Sequence, residues 1–476
     1  MVVAKVKDNV KPLDGSADHR GGGPAGKAAG LSLLAITWPI FIESALQVLI
    51  RMTDTFMLSK VSDEAVAAVG VSNQILMFGM LLFNFVALGS AVVVSQYLGA
   101  GLRREVGRIA ASSLALNFLF GLLVSAMVVL FCGELLRLFG LEPELHDLAR
   151  RYMAIAGGGL FVQAVMSAAV AIIQSHGLTR QTMLVALGMN VIHIVGNYLV
   201  IFGPFGFPKL GVTGVAISTV ASQTIGMAVN LLLLRRAAGV RLNGRDLVRW
   251  KLEDVKRVLR IGVPASLNHL SYNVNQLVTT AFITSLGSVM LATRIYTMNV
   301  VFLIMILCIS LGRGMQIIVG HLVGAGEQEE AYRQVLRNLG RSMLITLAGA
   351  AVISLFRVPL LDLFTDSEEI IRIGSTLILL SFLLEPGRNL NIMFDRCLQA
   401  AGDARFSAVS SVIIMWLFSV PLTYLLGIHL GYGLYGIWAA FITDEWVRGI
   451  VLLLRWKSKA WKSKAIVSRA AKPAAG

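Results

Sequence analysis

The chain has 476 residues, 56% of them hydrophobic and 14% charged, and its mean hydropathy is +0.74. Soluble proteins are near a quarter charged, so a soluble globular enzyme is excluded and a bilayer is the expected solvent. The formal net charge of +15 is compatible with a nucleic-acid partner until the positions of the basic residues are considered.

Residues 1–30 are Gly-rich and polar, carry Lys5, Lys7 and Lys11, and have no apolar core ahead of a cleavage site. They read as a disordered cytoplasmic tail, not a signal peptide. Apolar stretches of about 20 residues, the length that crosses about 30 Å of hydrocarbon as a helix, follow at 31–58, 66–97, 109–132, 149–175, 182–202 and 212–234. In the next segment, 238–257, Leu247, Val248, Trp250, Leu252 and Val255 are interleaved with Arg249, Lys251, Lys256 and Arg257. That is the pattern of a cytoplasmic amphipathic linker lying in the interface. Six further stretches occupy 258–286, 289–323, 342–361, 371–400, 406–428 and 434–454, and a basic tail covers 456–476. The expected bundles are therefore 31–237 and 258–455.

One offset of 225 residues relates these halves: Pro39 to Pro264, Gly89 to Gly314, Gly99-Ala100-Gly101 to Gly324-Ala325-Gly326, and Gln174, Gly177 and Arg180 to Gln399, Gly402 and Arg405. Each half has an even number of spans, so both enter the membrane in the same orientation. The fold expected is an all-α integral membrane protein of twelve transmembrane helices, in two six-helix bundles related by a pseudo-twofold axis along the membrane normal. Repeats of this kind belong to transporters.

With alternate loops assigned to alternate sides, roughly 30 of the 42 basic residues fall on the face shared by both termini, which the positive-inside rule makes cytoplasmic. Protein in a cell membrane with both termini inside is the expectation, and anionic lipid headgroups account for the basic clusters, so no nucleic-acid partner is expected. Cys132, Cys308 and Cys397 are lone cysteines without CxxC or His partners and read as packing residues. Neither a Walker loop nor an HExxH, GxSxG or dinucleotide motif occurs. ATP is not the expected energy source.

Polar groups inside spans mark a pathway or a partner. In the first span Glu43, Gln47, Arg51 and Asp54 share one helical face, and the 225-residue offset carries them to Asn268, Tyr272, Gln276 and Thr279. Two readings of the acidic end stay open: Arg51 and Asp54 neutralise each other as an i,i+3 pair, or Asp54 binds a cation or proton. Counting 1.5 Å per residue places Asp54, His193, Asn197 and Thr219 in one layer roughly 8 to 15 Å below the outer edge, where they can converge. On the tenth span Glu385, Arg388, Asp395 and Gln399 follow helical spacing, and Asp444, Glu445 and Arg448 lie near mid-depth on the twelfth. These are either neutralised structural pairs, a polar wall of the substrate cavity, or a second ion site. Pro39, Pro264, Pro386 and Pro421 lie inside spans and permit bends.

Several segments resemble the multidrug and toxic compound extrusion (MATE) family: Trp38-Pro39-Ile40 through Asp54-Thr55-Phe56-Met57, then Ala65-Val66-Ala67-Ala68-Val69-Gly70 and Asn73-Gln74. The Gly-Ala-Gly turn, Asn197-Tyr198, Gly211-Val212-Thr213-Gly214-Val215-Ala216 and Ala400-Ala401-Gly402-Asp403 are similar too, so the resemblance covers nearly the whole chain. It implies a cation-coupled antiporter, driven by protons or sodium, that exports amphipathic, often cationic, organic compounds, needs no cofactor, and works as a monomer in the bilayer. It also implies a cation or proton site at Asp54, His193, Asn197 and Thr219, with sodium, if any metal, at Asp54. His193 stands where the family usually has Asn, and Asn197 where some members have Asp, which shifts the balance toward protons because hard cations prefer oxygen. A seventh-helix Glu of several members is replaced by Tyr272, and the Glu385-Pro386-Gly387-Arg388 stretch is the alternative source of a carboxylate. The substrate cavity expected from these readings is lined by Glu43, Gln47, Tyr272, Gln276, Glu385 and Arg388. A flippase for lipid-linked saccharides and a membrane-embedded enzyme using His193 are the competing functions.

Overall fold

The computed structural model describes residues 32–240 and 250–467. The expected disordered tail 1–30 and the end of the basic tail lie outside the described residues, as does 241–249 of the linker. The described chain forms α1 (Leu33–Leu58), α2 (Asp63–Gly99), α3 (Arg103–Leu130), a short α4 (Cys132–Arg137), α5 (Pro143–Gly158), α6 (Leu160–Ser175), α7 (Thr179–Phe202) and α8 (Gly211–Arg236). Then come α9 (Leu252–Thr284), α10 (Ser288–Gly324), α11 (Gln328–Leu355), a short α12 (Arg357–Asp362), α13 (Glu368–Ala400), α14 (Ala404–His429) and α15 (Gly433–Lys457). With α5 and α6 counted as one broken span, these are twelve membrane-spanning helices in two six-helix bundles, and the described residues include no strand.

The duplication persists to the residue. Asp63 and Ser288 begin α2 and α10, Arg103 and Gln328 begin α3 and α11, and Cys132 and Arg357 begin α4 and α12, each pair 225 residues apart. The turns repeat as well. Gly101 and Gly326 take φ of 77° and 81°, and Leu102 N–H and Glu327 N–H reach back five residues to the carbonyls of Tyr97 and Leu322. Gly177 and Gly402 close their helices in the same left-handed conformation, which glycine adopts without a Cβ clash.

Ten of the twelve spans are apolar enough to be recognised by hydropathy alone. The other two are α9, diluted by Asn268, His269, Asn273, Asn275 and Gln276, and α15, which carries Asp444, Glu445 and Arg448. Both need neighbours to cover their polar faces.

The first compact unit contains Leu46–Lys256 and the second contains Ser32–Ala45 with the chain from Arg257 onward. Thus α1 contributes to both, and the expected bundle 31–237 is divided at Ala45. In the second unit the amino-terminal part of α1 packs on α10, where a Cβ on Gly314 would lie 2.5 Å from Thr37 Oγ1. Leucine or alanine there would force the helices apart.

Within the first unit the core joins Leu58, Val69, Phe83, Val128, Met153 and Leu160. Small residues bring its helices close, since a Cβ on Gly121 would sit 2.7 Å from the backbone of Phe161. The break between α5 and α6 bends that span by 42° at Gly159. Of the prolines that permit bends, Pro39, Pro264 and Pro386 lie within uninterrupted helices, while Pro421 lies between two π-helical turns, Met415–Ser419 and Leu425–His429. The wider turns accommodate the missing N–H.

Two basic segments differ from expectation. Residues 252–257 of the linker are the first turns of α9, and Asp254, 1% exposed, accepts from Arg108 Nε at 2.6 Å. The tail is held on the second unit over its described length. Lys459 and Lys462 pair with Glu329, Arg455 pairs with Asp403 at 2.8 Å, and Trp461 stacks on Trp456 with ring centres 4.1 Å apart. Carboxylates thus pair with three cations of this tail.

Candidate functional site

Asp54 lies one turn before the end of α1, on a stretch that belongs to the first unit. His193 and Asn197, four residues apart, share a face of α7, and Thr219 projects from α8. α7 and α8 meet closely because Gly196 has no side chain: a Cβ there would be 2.4 Å from Ser218 Oγ. Ser218 in turn donates to the carbonyl of His193 at 3.2 Å. The two helices are thereby registered, and all four predicted residues come together.

Asn197 Nδ2 donates to Asp54 Oδ1 at 2.8 Å, and His193 Nε2 lies 3.0 Å from Thr219 Oγ1. The Thr219 hydroxyl donates its one proton to the carbonyl of Val215 at 2.8 Å. With that proton on Val215 the hydroxyl accepts from the imidazole, which assigns the ring proton to Nε2. Nδ1 faces Asp54 Oδ1 at 3.7 Å. In a neutral imidazole with Nε2–H, that nitrogen is a lone-pair acceptor turned toward a carboxylate. Asn197 Oδ1, on a side chain with 0% exposure, has no hydrogen-bond partner.

Tyr152 of α5 belongs to the same neighbourhood, with its hydroxyl 3.2 Å from Asn73 Oδ1 and within reach of Thr219 and Asp54. The sequence reading missed it, since tyrosine in a membrane span is ordinary; its only signal was the proximity of Asn73-Gln74 within the family-like segment.

The proposed cavity residues separate into different environments. Glu43 is buried in the second unit, near Arg313 of α10, whereas Gln47 is exposed in the first. Tyr272 and Gln276 are half-buried on α9 and bonded to each other at 3.2 Å. Glu385, at 0% exposure, is not presented to open space. Arg388 contacts Glu385 at 2.6 Å and Glu445 at 3.6 Å, Arg448 binds Asp444 and lies 3.3 Å from Glu445, and Asn391 donates to Glu445 at 2.7 Å. These groups are interlocked pairs between α13 and α15. Asp395 is taken up separately, by Gln399 and Ser407.

Arg51 does not pair with Asp54. It is exposed and, with Val48, Met52, Thr55, Phe56 and Ser59, lines an open groove of about 470 Å³ along one face of α1. The three cysteines are buried and free, and the described residues include no cluster of His, Cys, Asp and Glu suited to a metal.

A family model, MatE, matches residues 39–199 and 264–425, one match on each half of the repeat. The chain belongs to the MatE family. It is a multi-pass membrane protein and a secondary transporter of small organic substrates, not an enzyme. It is 40% identical over 443 residues to the uncharacterized transporter YisQ of Bacillus subtilis (strain 168), covering 93% of this chain and 97% of that one. Identity to the probable multidrug resistance protein NorM of Thermotoga maritima is 26%, over 92% and 94% of the two chains. A solved outward-facing multidrug resistance MATE family transporter of the MOP superfamily superposes with a TM-score of 0.83 at 22% identity, over 93% and 97%. At that identity the likeness concerns the fold. This MatE chain keeps the fold with histidine on α7.

Proposed function

We propose that this MatE transporter is a proton-coupled antiporter that exports amphipathic organic compounds by alternating access, as a monomer in the cell membrane with both termini cytoplasmic. The observation that carries the reading is His193 Nδ1 facing Asp54 Oδ1 at 3.7 Å. Two acceptors turned toward each other in a partly dry site repel, and one proton between them turns the repulsion into a hydrogen bond. Loading that proton from outside favours one conformation, and releasing it inside favours the other. The drive equals the difference in proton binding between the two states.

Sodium is the second reading, favoured by the unpartnered Asn197 Oδ1. Asp54, Asn197 and Thr219 offer few oxygens where hard cations take larger oxygen shells, so the proton reading is preferred. The multidrug resistance name of the Thermotoga maritima relative supports a broad range of exported compounds.

The test is efflux of a fluorescent amphipath from proteoliposomes with proton and sodium gradients imposed separately. A proton gradient alone is expected to drive export, and Asp54→Asn to abolish it while eluting as a folded protein. Export driven by sodium alone, or full export by Asp54→Asn, overturns the reading.

A further inference from the structure

We propose that Arg51 is the anchor of a cargo site for amphipathic organic anions, a carboxylate on an apolar or aromatic body. The inference rests on the export reading above and narrows its substrate class.

Arg51 lies seven residues before the end of α1 at Leu58, about 10 Å along the helix. Arginine at such depth is expected to face a partner or a water-filled cavity. Its nearest acid in sequence, Asp54, is turned toward Asn197 and His193. No ion pair to Arg51 forms among the described residues, and its side chain is exposed on the cavity wall.

The other wall groups define what fits. Thr55 Oγ1 donates to the carbonyl of Arg51 and Ser59 Oγ to that of Phe56. Both hydroxyl protons are used within the helix, which leaves the guanidinium as the side-chain donor of this wall. Val48, Met52 and Phe56 supply the apolar surface. At the same end Lys60 Nζ lies 5.1 Å from the centre of the Phe56 ring, adding a second cation. The lining residues include no carboxylate. The groove is open on the side away from α1 and offers about 470 Å³, room comparable to the volume of sites that take drug-sized molecules. Planar, fork-like donors beside apolar surface match a carboxylate on an apolar body. A cationic amphipath would meet Arg51 without a counter-charge on this wall.

The experiment measures binding, so its outcome is separate from that of the coupling at Asp54. Protein in nanodiscs of phosphatidylcholine is titrated with dansylglycine and with its neutral amide, which share one body and differ in the acid. Wild type is expected to bind the acid at least about tenfold more tightly, the scale of a charge-assisted hydrogen bond, and Arg51→Gln to bind the two equally. Equal binding by wild type overturns the proposal without any variant being needed, as does an acid preference that survives Arg51→Gln. A third arm replaces part of the lipid with phosphatidylglycerol. Retained acid binding supports a cargo site, whereas its loss to the anionic headgroup assigns Arg51 to lipid and sinks the proposal.

Discussion

Asn197 and Asp54, 143 residues apart in sequence, are joined by a 2.8 Å hydrogen bond in which the amide donates to Oδ1. The bond uses one end of the Asn197 side chain and leaves Oδ1 at the other end buried without a partner. Asp54 is thus held by a donor that favours its ionised form, beside an imidazole that reaches it only through a shared proton.

Removing that donor should change when the site loads. In Asn197→Leu the carboxylate loses a charge-assisted bond worth about 1.5–3 kcal/mol, while its protonated form loses less. Protonation then becomes easier, so the pH of half-maximal efflux should move to higher values by about one unit or more. Efflux rates across a pH series check this, and an unmoved profile would detach Asn197 from the coupling step.

Thr219 tests the tautomer argument. Thr219→Val keeps the shape but removes the acceptor of His193 Nε2–H, and the ring is then free to turn its proton toward Asp54 instead. Proton-driven export should fall by about tenfold, for one lost hydrogen bond of roughly 1–1.5 kcal/mol, and Thr219→Ser should restore it. Failure of serine to rescue would mean that Thr219 acts through packing alone.

The restored family residue gives a third test. His193→Asn removes the titratable ring and supplies a side-chain oxygen beside Asn197 Oδ1. Export should become more dependent on sodium and less on the proton gradient, measured in the same vesicles. An unchanged ion requirement removes the histidine from the mechanism and leaves Asp54 in it.

The buried charges of the second unit concern stability. Arg448 lies 3.3 Å from Glu445 and is bonded to Asp444, so Arg448→Met leaves carboxylates without their guanidinium in a dry interior. Breaking one side of such a network costs about 3–5 kcal/mol, whereas replacing both partners by apolar groups costs far less. Thermal unfolding in detergent should show a large loss for Arg448→Met and a smaller one for Arg448→Met with Asp444→Leu. Equal losses would contradict the network account.

The fold was legible because its signal is periodic and duplicated. The weakest of the twelve apolar stretches read in the sequence, 258–286 and 434–454, became α9 and α15, where Asn, Gln and charged residues dilute the apolar run. The site was legible because Asp54, His193, Asn197 and Thr219 are polar groups at one depth, and depth follows from counting residues along a helix. Direction around the helix was less legible. Arg51 and Asp54 at i,i+3 read as one of two alternatives, a pair, but only the contacts of Asn197 and His193 on α7 show that Asp54 turns away. Tyr152 was invisible for a different reason, since its role depends on neighbours 79 and 67 residues distant. The protein partners of the basic tail were not legible because charge counts give no partner: Glu329, which binds Lys459, is 130 residues away.

That tail makes a last prediction, at Gly402. Its φ of 94° is one that side chains rarely adopt, and a Cβ there would lie 2.2 Å from the carbonyl oxygen of Lys464. Gly402→Ala therefore meets two penalties, about 1–2 kcal/mol for the left-handed backbone and a clash with backbone that has no flexible end to move. The turn Ala460–Lys464 must lift, and with it Trp461, now at 0% exposure against Trp456. Gly206 is a fitting control, with a φ of 80° and nothing within 4 Å of the same position. Trypsin should cut after Lys459 or Lys462 much faster in Gly402→Ala than in wild type or Gly206→Ala, read by mass spectrometry of the released tail. Equal cleavage in all three would show that the contact at Lys464 does not hold the tail in place.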